Sequence, residues 1–134
     1  MSSDIVTRLD EAESFRLLAS STLGRLAIAV GGRPEIFPLN YVVGDGKVYF
    51  RTAPGNKLLG LTVNSHVAFQ SDFHNEREAW SVVVKGTARQ LETEAEIAAV
   101  DALNLRPWVP TEKYVYVEIA PSEITGFRFA LERA

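Results

Sequence analysis

No cysteine occurs among the 134 residues. That excludes disulfides, thiolate metal centres and cysteine nucleophiles. Histidine is almost as scarce, with His66 and His74 the only two. A zinc site would need carboxylates to complete it, and no metal is expected. Neither histidine forms a triad pattern with a serine, and Ser20-Ser21-Thr22 lacks the context of a nucleophile elbow. No catalytic side chain is therefore assigned. Basic charge is not in excess: 14 Lys and Arg face 17 Asp and Glu, for a net charge of −3. Nucleic-acid binders draw most of their affinity from a basic face that neutralises phosphates, so no nucleic-acid partner is expected. Long apolar runs are missing too. The longest, Leu26 to Val30, is far short of the roughly 20 residues of a membrane span. Met1 to Arg8 has no apolar core of the signal-peptide kind. The expectation is a soluble, cytoplasmic protein without a membrane partner. Internal repeats, low-complexity tracts and linkers are also absent. With 46% hydrophobic and 23% charged residues, the composition is that of an ordinary globular chain, not a disordered one. The length fits one domain over residues 1–134.

What is present reads mainly as strands. Asp10 with Glu13 is a capping-box-like pair, and Phe15, Leu18 and Ala19 follow at helical spacing. Alternation then predicts a strand over Arg25 to Val30, with Leu26, Ile28 and Val30 on one face. Gly31-Gly32 marks a hairpin turn. Pro34 to Val43 is the next strand, with Phe37, Leu39, Tyr41 and Val43 together. Pro38 removes a ladder donor, which places it at an edge, at a bulge or facing a ligand. After Gly44-Asp45-Gly46, Lys47 to Thr52 completes a three-stranded antiparallel meander. A helix is expected after Pro54, then strands over His66 to Asp72 and Trp80 to Leu91, the latter bent at Gly86. Thr93 with Glu96 is a second capping box, opening a helix that Pro107 stops. Two strands close the pattern, Tyr114 to Ala120 and Ile124 to Leu131, separated by a Pro121-Ser122 turn. Several strands are apolar on both faces, which favours a closed or half-closed barrel over a flat sheet.

Three stretches carry possible chemistry. At Arg51-Thr52-Ala53-Pro54-Gly55-Asn56-Lys57-Leu58 a strand gives way to a helix. Unpaired amides at that helix start, with Arg51, Lys57 and the Thr52 hydroxyl, would make a phosphate cradle. The same residues also fit a surface turn whose cations are solvated. In the second stretch, Asn40 offers a donor and an acceptor to the polar edge of a heterocycle, and Phe37 and Leu39 an apolar wall. A core strand with Asn40 at a bulge is the competing reading. The third is Trp80-Ser81-Val82-Val83-Val84-Lys85-Gly86. Trp80 beside a small polar residue would line a flat ligand or simply fill the core. Trp108, between Pro107 and Pro110, suits an interface or pocket lid as well as a tethered loop.

Together these stretches resemble the pyridoxamine 5′-phosphate oxidase-like, FMN-binding split-barrel family, from about Leu18 to Phe129. The carriers are Gly24-Arg25-Leu26-Ala27, Pro34 to Tyr41, Phe50-Arg51-Thr52-Ala53 with Gly55 and Lys57, Val67-Ala68-Phe69, Trp80 to Gly86, Leu105-Arg106-Pro107-Trp108 and Ile124-Thr125-Gly126. The resemblance implies a mainly β fold: a six-stranded antiparallel split barrel with short peripheral helices. It further implies a homodimer with two FMN sites in the interface. Carried over, Arg51, Thr52 and Lys57 match phosphate-binding positions, and Leu58 is counted with them. Phe37, Pro38, Leu39 and Asn40 match the strand along the isoalloxazine ring. Trp80 and Ser81 match the strand that presents a polar side chain to that ring, and Trp108 would reach the partner's flavin. The family's Arg-rich C-terminal substrate-phosphate signature has no counterpart in Phe127 to Ala134. The resemblance thus does not carry pyridoxamine phosphate oxidation itself. It implies an FMN-dependent oxidoreductase acting on a small-molecule substrate. A deazaflavin-dependent reductase of the same fold and a non-catalytic flavin-binding protein are the alternatives, and a ligand-free interaction module lies furthest from it.

Overall fold

A computed structural model describes residues 5–54, 62, 65–103 and 115–131. Among them eight strands and two helices run in the order β1 (Val6–Leu9), α1 (Glu11–Ala19), β2 (Leu23–Val30), β3 (Arg33–Asn40), β4 (Val42–Gly44), β5 (Lys47–Thr52), β6 (His66–His74), β7 (Glu78–Gln90), α2 (Glu94–Asp101) and β8 (Val115–Ala130). The pairings among these strands are antiparallel. The sheet runs β3-β2-β6-β7-β8-β5-β4, with β1 added to the far end of β8. Curled on itself, this sheet forms the half-barrel of a split-barrel fold, mainly β with short helices outside it.

The meander forms where the turn glycines place it. Gly31 and Gly32 both take positive φ (57° and 80°), and Val30 pairs with Arg33 across them. Asp45 and Gly46 do the same at the next hairpin, at 52° and 73°. Positive φ at both central residues gives the turn the twist that flanking strands need. Pro38 sits on β3, the sheet's edge strand, where its missing N–H removes no inner ladder bond.

Three details depart from the sequence expectation. The strand expected over Pro34 to Val43 breaks at Tyr41, whose N–H turns to the Thr22 carbonyl (3.0 Å). Its ring enters the core edge-on to Phe69, and its hydroxyl donates to the Leu18 carbonyl at 2.5 Å. The two closing strands are a single one of 16 residues that passes through Pro121. The turn expected at Pro121-Ser122 is absorbed by a register shift between Lys85 and Gly86, so that Gly86 faces Pro121. A Cβ on Gly86 would lie 2.1 Å from the Ala120 carbonyl oxygen, so only glycine lets the strands close there. Finally, β1 is a strand where the sequence pattern predicts none. It is exposed along most of its length and gains its order from pairing with β8. The helix expected after Pro54 lies almost wholly outside the described residues.

Alternation divides the sheet into two faces. The inner face holds Leu26, Phe50, Phe69, Val82, Val84 and Ile119, all fully buried or nearly so, with Leu17 and Leu18 of α1 against them. Burial of each such side chain contributes about 1.5–3 kcal/mol. A smaller cluster forms on the opposite face, where Val100 of α2 packs on Tyr49, Leu91 and Tyr116. Helix α2 starts as its sequence predicts: Thr93 Oγ1 accepts from the Glu96 N–H, and the Glu96 carboxylate accepts from the Thr93 N–H. No helix among the described residues is long and apolar enough to cross a membrane.

Candidate functional site

Alternation on β5 turns Tyr49 and Arg51 outward while Val48, Phe50 and Thr52 face the core. Arg51 therefore emerges beside the C-terminal end of α2, opposite Tyr116 of β8. Its side chain is only 14% exposed. One guanidinium nitrogen, Nη1, stands 3.5 Å from the Asp101 carboxylate and donates to the Tyr116 hydroxyl at 3.5 Å. The Tyr116 hydroxyl in turn donates to Asp101. The guanidinium carbon lies 5.7 Å from the Tyr116 ring centroid. Burial and then the Asp101 acceptor raise the Tyr116 pKa, against the opposing pull of Arg51. Tyr116 is thus a neutral donor throughout the physiological range. The result is a mostly buried cation with a compact set of partners at the strand end that the sequence singles out. Thr52, its neighbour, is buried on the other side of the strand and pairs with Val115.

A cavity of about 430 Å³ opens near the other side of α2's end. Ser21, Thr22 and Asn40 supply its polar lining, and Tyr41, Val42 and Leu103 its apolar one. Asn40 is therefore at an open, polar edge of β3. Phe37 and Leu39 point the other way and pack into the core. Pro38 is exposed on the outer face, directly across from Arg25.

The same outer face carries a polar network across three strands. Arg25 Nη1 donates to Gln70 Oε1 and Asp72 Oδ1, both at 3.2 Å. Gln70 Nε2 donates to Asp72 Oδ2 (2.8 Å) and Ser81 Oγ (3.4 Å). Ser81 is thus joined to Arg25, Gln70 and Asp72, three residues that no sequence motif marks as part of a site. Their signal is present but non-local: each is a polar residue at an outward position of its strand, and only the β2–β6–β7 order brings them together. Trp80, next to Ser81, faces inward and is 5% exposed. The structure therefore separates the predicted residues into two sets. Pro38, Asn40, Arg51 and Ser81 reach open or outer surfaces, while Phe37, Leu39, Thr52 and Trp80 face the core. Lys57, Leu58 and Trp108 lie outside the described residues.

A second cavity, about 350 Å³, lies between α2 and the sheet and is lined by Tyr49, Arg89, Glu96 and Glu118 among others. Three of its charged residues pair with one another. Arg89 donates to the buried Glu118 from Nε (3.0 Å) and to Glu96 from Nη2 (2.5 Å). This pairing pulls the Glu96 pKa down to about 2. It braces α2 against β7 and β8. Among the described residues no cluster of His, Asp and Glu has metal-binding geometry.

The family model described as pyridoxamine 5′-phosphate oxidase matches residues 10–128 of the chain. A solved structure from Corynebacterium glutamicum superposes with a TM-score of 0.89, at 44% identity and 97% coverage of each chain. The FAD-binding protein from Mycobacterium smegmatis gives a TM-score of 0.86 at 40% identity, covering 94% of this chain and 100% of that one. An FAD-binding protein from Mesorhizobium loti gives 0.77 at 27% identity, covering 96% and 98%.

Proposed function

The chain belongs to the pyridoxamine 5′-phosphate oxidase family, and from that premise we propose that it binds a flavin nucleotide and serves as a flavin-dependent oxidoreductase for a small-molecule substrate. The observation that carries this reading is the likeness to the M. smegmatis FAD-binding protein, at 40% identity over 94% of the chain. The residues present fit such a group. Arg51 is a mostly buried cation suited to a phosphate. Asn40 and the Arg25–Gln70–Asp72–Ser81 network offer both donors and acceptors, which suits the polar edge of an isoalloxazine. FMN, the cofactor implied by the resemblance, and FAD share that ring and the ribityl phosphate. The Arg51 end would serve either, and the two FAD-binding relatives favour the dinucleotide. A deazaflavin also carries a phosphate and fits the same end.

In this mechanism the bound flavin supplies hydride or electron transfer. The chain's own residues bind and orient. Arg51 would hold the phosphate, Asn40 and the Ser81 network would offer hydrogen bonds to the flavin's polar groups, and Pro38 on the edge strand would offer a flat apolar contact. No side chain is assigned as proton donor; solvent delivers the proton. Lys57, Leu58 and Trp108 complete the proposed set on the strength of the resemblance alone. A homodimer is part of the same proposal. The outer face of β3, β2 and β6 bears Ile36, 67% exposed, with Ala27 and Ala68 behind it. Around Ile36 this is a small apolar patch beside the polar network, and a second copy would cover it.

The test is direct titration of the purified protein with FAD, FMN and a deazaflavin, read by flavin absorbance and fluorescence, followed by turnover with nicotinamide donors. Saturable binding with turnover supports the oxidoreductase reading. Binding without turnover by any donor favours a non-catalytic flavin carrier. No binding of any of the three rejects the proposal.

A further inference from the structure

Asp101 is in an unfavourable place for a helix. It is the last residue of α2, and the last turn holds no basic residue. The C-terminal end of a helix is its negative end, where a carboxylate is repelled. Two contacts hold it there: the Arg51 guanidinium at 3.5 Å and the Tyr116 hydroxyl. The exposures are unequal. Arg51 is 14% exposed and Asp101 51%, so the carboxylate is the more solvent-accessible partner of the pair. The pair is long at 3.5 Å and its carboxylate is half-exposed, so this contact can yield to an anion of higher charge such as a phosphate.

We propose that Asp101 is a built-in competitor for the phosphate of the cofactor, occupying Arg51 in the free protein and setting how tightly phosphate-bearing flavins are held. This rests on the flavin reading above. Tyr116 acts through Asp101, because its hydroxyl orients the carboxylate toward Arg51. Binding a phosphate exchanges one anion for another at Arg51, so affinity is the difference between two charge pairs. Removing the carboxylate's charge takes away the competing pair and relieves the repulsion at the helix end.

The experiment measures dissociation constants for FMN and for riboflavin, which lacks the phosphate, by flavin fluorescence. The proteins compared are the wild type, Asp101→Asn, Arg51→Gln and Glu94→Gln, the last an equal charge change at the other end of α2. Circular dichroism checks that each variant is folded. Asp101→Asn should bind FMN roughly three- to tenfold more tightly, as expected for one nearby charge in a partly screened site. Its riboflavin affinity should stay within about twofold of the wild type, because a neutral ligand gains little from that charge. Glu94→Gln should change neither. An unchanged or weakened FMN affinity in Asp101→Asn, while Arg51→Gln still weakens it selectively, overturns the competitor and leaves the flavin reading intact. FMN affinity indifferent to both substitutions overturns the phosphate assignment of Arg51 and the competitor with it.

Discussion

Arg51 carries the most weight of any single side chain, because a cation so little exposed is retained only where partners compensate its lost hydration. In the free protein Asp101 and Tyr116 are among those partners. With the cofactor bound, the phosphate would take over part of that role. Arg51→Gln keeps hydrogen-bonding capacity but removes the charge. It should weaken FMN binding by about 2 kcal/mol, the usual worth of a charge-assisted bond, and change riboflavin affinity far less. Equal losses for the two ligands would mean that Arg51 supports the fold and not the phosphate. Legibility at this scale follows locality. Arg51 is readable because strand end, cation and following glycine lie close together in the chain. The alternation that puts Trp80 in line with Val82 and Val84 also puts it in the core. Arg25, Gln70 and Asp72 are not readable as a site, since their meeting depends on β2 lying beside β6, about 40 residues later in the chain.

The elements show where local rules hold and where pairing overrides them. Both described helices begin at their sequence-predicted caps, because a cap is satisfied within one helical turn. In α2 that box is tied to Arg89, and the consequence is a pH dependence. The Glu96 carboxyl is held near 2, below its ordinary value of 4.5, first by the Arg89 hydrogen bond. A depressed native pKa stabilises the fold fully above about 4.5, and that contribution is lost as pH falls toward about 2. Glu96→Gln should therefore lower the melting temperature near pH 7 and flatten its decline between about pH 5 and 2. Glu13, held near 2 by Arg16 and Arg128, keeps part of the slope. An unaltered slope in Glu96→Gln would contradict the assignment.

Strand boundaries are harder to read. Pro121 looks like a turn in sequence and is a strand residue in the structure, because the bulge on β7 absorbs it. Gly86→Ala probes that bulge. The added methyl meets backbone, which cannot rotate away, so a loss of about 1–3 kcal/mol in urea-unfolding free energy is expected. A neutral result would mean that the two strands separate easily at that point.

For the whole molecule, the order and spacing of short motifs point to the split barrel, although the strand count is eight among the described residues and not six. β1 and the β3–β4 break add strands that arise from pairing and from the turn of Tyr41 into the core. Assembly is the next level. If the outer face of β3 is the surface a second copy covers, Ile36→Glu should convert a dimer to a monomer in sedimentation experiments, with unchanged circular dichroism. It buries a charge against Ala27 and Ala68 in any interface built there. A dimer that survives Ile36→Glu would place the interface elsewhere. That this fold here holds a flavin nucleotide is tested most directly by titrating FAD and FMN into the purified protein and following flavin fluorescence. Saturable binding of at least one of them is expected, weakened in Arg51→Gln; a fluorescence signal that never saturates with either would mean that no flavin nucleotide is held.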